Sequence, residues 1–184
     1  MEEAISLGWN CEAAWKGIDM GLRKLKKDGY NTCPFDICFT NYEGIILCIK
    51  EDFKFFCDPL YLKLFMPPFT VDSINTSRQY ISNTRYKFIF NHESPRADEP
   101  WWVDSNNNYD YDSFTKKYNR RINNFRYYVN NKSITFIIKK PDPDVSELEK
   151  VLKETYPNLV FTIYHVEEEK VDVFVGIKNI MDTL

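Results

Sequence analysis

Apolar and polar positions along the chain fall into runs of helix and strand period. Ala4-Ile5-Ser6-Leu7 reads as a short apolar strand closed by Gly8. From Cys11 to Lys27, Ala14, Ile18, Leu22 and Leu25 share one helix face, and Gly29 supplies a stop. A second helix is expected from Thr40, which has capping-box spacing to Glu43, through Ile45, Ile46, Ile49 and Phe53, with Pro59 as its limit. Leu60 to Phe65 and Ser77 to Tyr80 read as short strands either side of the Pro67-Pro68 break. Tyr86 to Phe90 alternates as a further strand, and His92 lies just beyond it.

Glu93 to Asn108 is a polar stretch containing Trp101-Trp102 and reads as a loop. Phe114, Tyr118, Ile122, Phe125 and Val129 then form a nearly unbroken i, i+4 ladder, which predicts a long helix over 111–130. The final third alternates strand (Ser133 to Ile138), helix (Ser146 to Thr155) and strand (Leu159 to Val166), which is a βαβ unit. Such a crossover joins parallel strands of one sheet with a right-handed connection. Val171 to Ile177 is expected to add a last strand. The fold class is therefore α/β, a three-layer sandwich with a mostly parallel sheet, as a single domain over residues 1–184. With Ile5-Ser6-Leu7 in the same sheet, Cys11 falls at its carboxyl edge, where open α/β sheets hold ligands.

The chain has 184 residues, 43% of them hydrophobic, enough for a core without disulfide or metal support. Its net charge of −3 does not favour nucleic acid or an anionic membrane. The basic clusters at 23–27 and at Lys116, Lys117, Arg120 and Arg121 fall on predicted helices and read first as solvated faces. Five cysteines (11, 33, 38, 48 and 57) make an odd count, and no secretory leader or transmembrane run accompanies them, so a reduced cytoplasmic setting is expected. Cys33 and Cys38 lack zinc-knuckle spacing, and His92 and His165 have no cysteine close in sequence, so neither a metal nor a cofactor is expected.

Cys11 stands apart because it opens a helix after a strand and a glycine turn. Helix N-terminal N–H groups lack internal acceptors and favour the thiolate, which would draw a cysteine pKa from about 8.5 toward roughly 3.5–7.5. The competing reading is a small apolar residue packed at the junction.

Ser6-Leu7-Gly8 with Cys11, Pro34-Phe35-Asp36, Asp52-Phe53 with Phe56, Phe90 with His92, Tyr118-Asn119-Arg120-Arg121-Ile122 with Phe125, and Phe136-Ile137-Ile138 occur in that order. In this combination the chain resembles a family described as "putative papain-like cysteine peptidase". It departs from the family at Ile37, where Trp is usual, and at Lys139, where Arg is usual. The resemblance implies Cys11 as nucleophile, His92 as general base and Asp36 as orienting acid, acting on a peptide or small acyl substrate. It also implies a structural or ligand-binding role for Arg120 or Arg121, at least one of which should turn inward. That trio suits acyl transfer: thiolate attack, proton shuttling by imidazole, and a carboxylate that fixes the tautomer. No Gln precedes Cys11, so the oxyanion would fall to backbone N–H groups and the Asn10 amide.

A papain-like α+β fold is the alternative that the family label carries, whereas the βαβ unit is closer to SGNH hydrolases. Two other functions stay open: an SGNH-like esterase or acyltransferase on a glycan or small molecule, and a non-catalytic module binding phosphate or sugar through Arg120, Arg121 and the tryptophan loop. His92 also fits a strand-end hydrogen-bonding role, Asp36 a turn cap, and His165 a satisfied core or edge position. The sequence carries no signal of oligomeric state.

Overall fold

The computed structural model describes residues 2–93 and 111–184. The amino-terminal half contains β1 (Glu2–Ser6), α1 (Cys11–Asp19), α2 (Tyr42–Lys50), β2 (Leu62–Phe65), β3 (Tyr80–Asn83) and β4 (Phe88–Phe90). The carboxy-terminal half contains α3 (Tyr111–Asn131), β5 (Ser133–Lys140), α4 (Ser146–Thr155), β6 (Phe161–Glu167) and α5 (Val171–Met181). The tryptophan pair expected to form a loop lies outside the described residues.

The fold is α/β. Strands β1, β5 and β6 form a parallel sheet in that order, with Ile5 paired to Phe136 and Phe136 to Ile163. Strands β2, β3 and β4 form a separate antiparallel sheet. Because strand side chains alternate, the two faces of β5 bury different partners. Ile137 meets Ala4 and Ala13, and so packs under α1. Ile134, Phe136 and Ile138 join the main core with Phe125 of α3 and Leu148 and Leu152 of α4. The parallel sheet thus lies between helix layers, and the βαβ crossover runs through α4 as its spacing predicted.

That main core is built on rings. Phe35 packs against Phe53, Phe56, Phe88 and Phe125 at centroid separations of 5.6, 6.3, 5.9 and 6.1 Å. Truncating such a hub ordinarily costs about 3–5 kcal/mol. Phe35 is therefore a structural member of the Pro-Phe-Asp motif, and it joins the antiparallel sheet to α3.

Several boundaries differ from the sequence expectation. Residues 171–177 are not a strand: they begin α5, whose buried stripe of Ile177, Ile180 and Met181 continues past the alternating valines and packs with Trp9 and Phe39. Helix α1 stops at Asp19, because Gly21 adopts φ +70° and the Leu22 and Gly21 N–H groups bond back to the carbonyls of Gly17 and Ile18. Gly29 instead closes a short 3-10 turn over Lys26–Asp28. The cap of α2 is Asn41, whose Oδ1 accepts from the Gly44 N–H at 2.6 Å, and Thr40 donates to the Leu7 carbonyl. Among the described residues, no helix is long and apolar enough to cross a membrane.

Gly44 sits in the first turn of α2 with its Cα against the Tyr86 carbonyl oxygen, which a Cβ would overlap. In an open helix Gly→Ala gains about 1 kcal/mol. Here Gly44→Ala is expected to destabilise by about 1–3 kcal/mol through overpacking. Denaturant unfolding checks this, and a gain in stability would contradict the packing described.

Candidate active site

Cys11 is placed by clamps on both sides of the turn that precedes it. The parallel ladder continues beyond β1, with Leu7 N–H donating to the Ile137 carbonyl and Lys139 N–H to the Gly8 carbonyl. On the other side Thr40 N–H donates to the Trp9 carbonyl. Gly8 has φ +96°, and a side chain there would collide with the Thr40 hydroxyl, so glycine is required at this turn. Asn10 caps α1 by accepting from the Glu12 N–H at 2.9 Å. Cys11 is the first residue of α1, half-buried, at the carboxyl edge of the parallel sheet.

The thiol is not primed as the helix position suggested. Burial pushes its pKa up; a bond from its own N–H pulls the other way, and the carboxylates of Glu12 and Asp72 push it further up. Desolvation and two negative neighbours outweigh a nine-residue helix whose Glu12 N–H is already taken by the Asn10 cap. Cys57, the other half-buried cysteine, is pushed up by burial to about 12. Cys33, Cys38 and Cys48 are fully buried.

Asp72, whose carboxylate acts on this thiol electrostatically, is a neighbour that periodicity could not reveal. It lies in the turn bridged by Val71 and Ile74, at φ 49°, and is exposed. The only sequence signal was a short polar turn after Pro67-Pro68. Lys139 is the second. It pairs with Glu12 and, at 3.0 Å, with Glu168, tying the helix that carries Cys11 to the end of β6. Glu168 also accepts from the Trp9 indole N–H at 2.7 Å and from the Lys170 N–H at 2.8 Å. The cation at the end of β5 is therefore a structural tie.

His92 is exposed just past β4 and makes no hydrogen bond among the described residues. Its neighbour Glu93 is buried and pairs with Lys117 at 2.6 Å and Arg121 at 3.5 Å. Asp36 is committed elsewhere: it accepts from the Cys33 N–H at 2.7 Å and the Tyr30 hydroxyl at 3.0 Å, and pairs with Arg23 at 3.1 Å. No Asp36–His92 contact is among these, so the structure does not bring the two together. Burial pushes the Cys38 thiol up; Arg121 pulls the other way, and Asp36, Glu93 and Cys11 push it further up. Arg121 turns inward, 8% exposed and stacked over Tyr118 at 4.6 Å, whereas Arg120 faces solvent. His165, at the edge strand, is satisfied by the Lys140 carbonyl at 2.7 Å.

A cavity of about 290 Å³ opens at the same sheet edge, between Trp9, Thr40, Tyr42, Lys140, Ser146 and Phe174; Cys11 does not line it.

A family model described as "putative papain-like cysteine peptidase" matches residues 2–168. The chain belongs to that family. Searches of curated proteins and of solved structures return no match. The match spans the family motifs from the Cys11 turn to Lys139. Within this member the Pro34-Phe35-Asp36 motif places one side chain in the aromatic core and the next in a buried polar network.

Two outcomes follow from the local electrostatics. On folded protein, alkylation of Cys11 should rise with pH through a midpoint above the ordinary thiol range, and Asp72→Asn should move that midpoint to lower pH, as read by per-residue mass spectrometry. An unchanged profile would remove Asp72 from the site. Glu168 is pushed up by burial, but bonds from the Lys170 N–H, Lys139 and Trp9 hold its carboxyl below the usual value overall. A depressed folded value contributes stability above the usual glutamate range, and that stability is lost as pH falls through the folded value. Glu168→Gln should thus cost about 1–3 kcal/mol at neutral pH and converge with wild type on acidification. A gap independent of pH would speak against the ion pair.

Proposed function

We propose that this chain is a thiol-dependent acyl hydrolase of the cysteine-peptidase kind, with Cys11 as nucleophile and His92 as general base. The carrying observation is the seat of Cys11: first residue of a helix, half-buried, at the carboxyl edge of a parallel sheet. The raised thiol pKa shapes the mechanism. The resting group is a thiol rather than a standing thiolate, so attack requires a base that removes the proton as the bond forms.

In this reading His92 takes the Cys11 proton while sulfur bonds the acyl carbon, then returns it to the leaving amine as the C–N bond breaks. Water, deprotonated by the same imidazole, releases the acyl group from the thioester. The Cys11 N–H and the Asn10 side-chain amide, whose oxygen is held by the cap, supply oxyanion donors. Asp36 serves as a positioning residue that fixes the 30–36 segment through the Tyr30 hydroxyl, the Cys33 N–H and Arg23. The cavity of about 290 Å³ beside Trp9, at the same sheet edge though not lined by Cys11, supports a small acyl or amide substrate as the second reading.

The test is labelling with an electrophilic acyl ketone followed by mapping of the modified residue. Cys11 should carry the label, and His92→Ala should slow labelling at pH 7 by about 100-fold or more, while Cys57→Ala leaves it unchanged. Label on another residue, or a His92→Ala rate equal to wild type, would overturn the assignment.

A further inference from the structure

A second cavity, of about 320 Å³, lies on the helix α3 side of the molecule and is lined by Lys26, Asn31, Thr32, Arg120, Arg121 and Asn124. Among the described residues, three of its six lining side chains are cationic and none is a carboxylate. Lys26 and Arg120 make no ion pair among the described residues. Arg121 is over nine-tenths buried, and its Nη1 has no hydrogen bond among the described residues. The same Nη1 lies 3.5 Å from Glu93, its ion-pair partner among the described residues, which Lys117 holds more closely at 2.6 Å. Burying a guanidinium with an unfilled donor costs free energy unless an acceptor arrives.

The surroundings sharpen this. Asp36 is already paired with Arg23, whose Nε and Nη1 also lack acceptors among the described residues. Among the described residues, Arg23 pairs with Asp36 and Arg121 shares Glu93 with Lys117, so the cations lining the cavity without an ion pair there are Lys26 and Arg120. A monoanion would leave one of these uncompensated, whereas a dianion with several acceptor oxygens matches both and the Arg121 guanidinium fork.

We propose that this cavity binds the phosphoryl group of a small phosphorylated ligand of sugar-phosphate size. Arg120, Arg121 and Lys26 engage the phosphate. Asn31 and the Asn124 amide oxygen meet the carrier's hydroxyls, since the Asn124 NH₂ already donates to the Thr32 carbonyl at 3.0 Å. The volume admits a phosphate and a carrier of that size, and the chain's net charge of −3 disfavours a polyanionic nucleic acid. The site is separate from Cys11, which does not line it, and needs no chemistry from the thiol.

Calorimetry on the full chain tests this with inorganic phosphate, glucose 6-phosphate, glucose and acetate at fixed ionic strength. Saturable binding of glucose 6-phosphate, tighter than inorganic phosphate, with no binding of glucose or acetate, is the expected result. Lys26→Gln and Arg120→Gln, both exposed and so expected to fold, should each weaken it about tenfold, and Cys11→Ser should leave it unchanged. Affinity for phosphate equal to that for the sugar phosphate would remove the carrier and leave an adventitious ion only. No saturable binding, or binding indifferent to both cation variants, would overturn the site, and neither result bears on the role of Cys11.

Discussion

Strand β1 pairs in parallel with β5, its partner more than a hundred residues away, and the remaining architecture is arranged around closing that pair. Parallel neighbours cannot be joined by a hairpin. The chain between them therefore passes through α1 on one face, then the antiparallel sheet and α3, before β5 returns beside β1. The ladder runs on past the last residue of β1 to Lys139 N–H and the Gly8 carbonyl, so the turn that launches α1 is fixed by the sheet itself. Thr40 holds the same turn from the opposite side. Cys11 inherits its position from these bonds.

The seat of Cys11 brings two effects into opposition. A helix N-terminus stabilises an anion, typically by about 0.3–1 kcal/mol at an exposed end. Burial of the thiol and the nearby Glu12 and Asp72 carboxylates act against it and prevail. Lys139 moderates this by pairing with Glu12, and Glu168 in turn holds Lys139 and the Trp9 ring. A thiol kept protonated until a base removes its proton is compatible with acyl transfer, and it spares an exposed thiolate from oxidation.

The parallel sheet was legible because its strands carry strong local signals. Ile134 to Ile138 is a continuous apolar run, and a capped helix separates it from the next strand. The long α3 ladder was equally plain. Val171, Val173 and Val175 misled because alternation of β-branched residues mimics a strand, while the decisive stripe lies further on at Ile177, Ile180 and Met181. Gly21 and Asn41 displaced Gly29 and Thr40 because two suitable stop or cap residues stood close together, and tertiary contacts chose between them. The seat of Cys11 at the mouth of α1 was legible from the strand-glycine-helix pattern. The electrostatic influence of Asp72 on it was not, because only folding brings that turn toward the thiol. Asp36 was found by its motif, but its hydrogen bonds to Tyr30 and the Cys33 N–H could not be read from spacing.

A crystal structure of the protein carrying an acyl ketone adduct would test the central claim most directly, by locating the modified sulfur and the imidazole in one image. The adduct should lie on Cys11, with a His92 ring nitrogen within hydrogen-bond distance of the bound group and its oxygen facing the Cys11 N–H. An adduct on Cys11 that turns away from His92, or one formed on Cys57 instead, would contradict it.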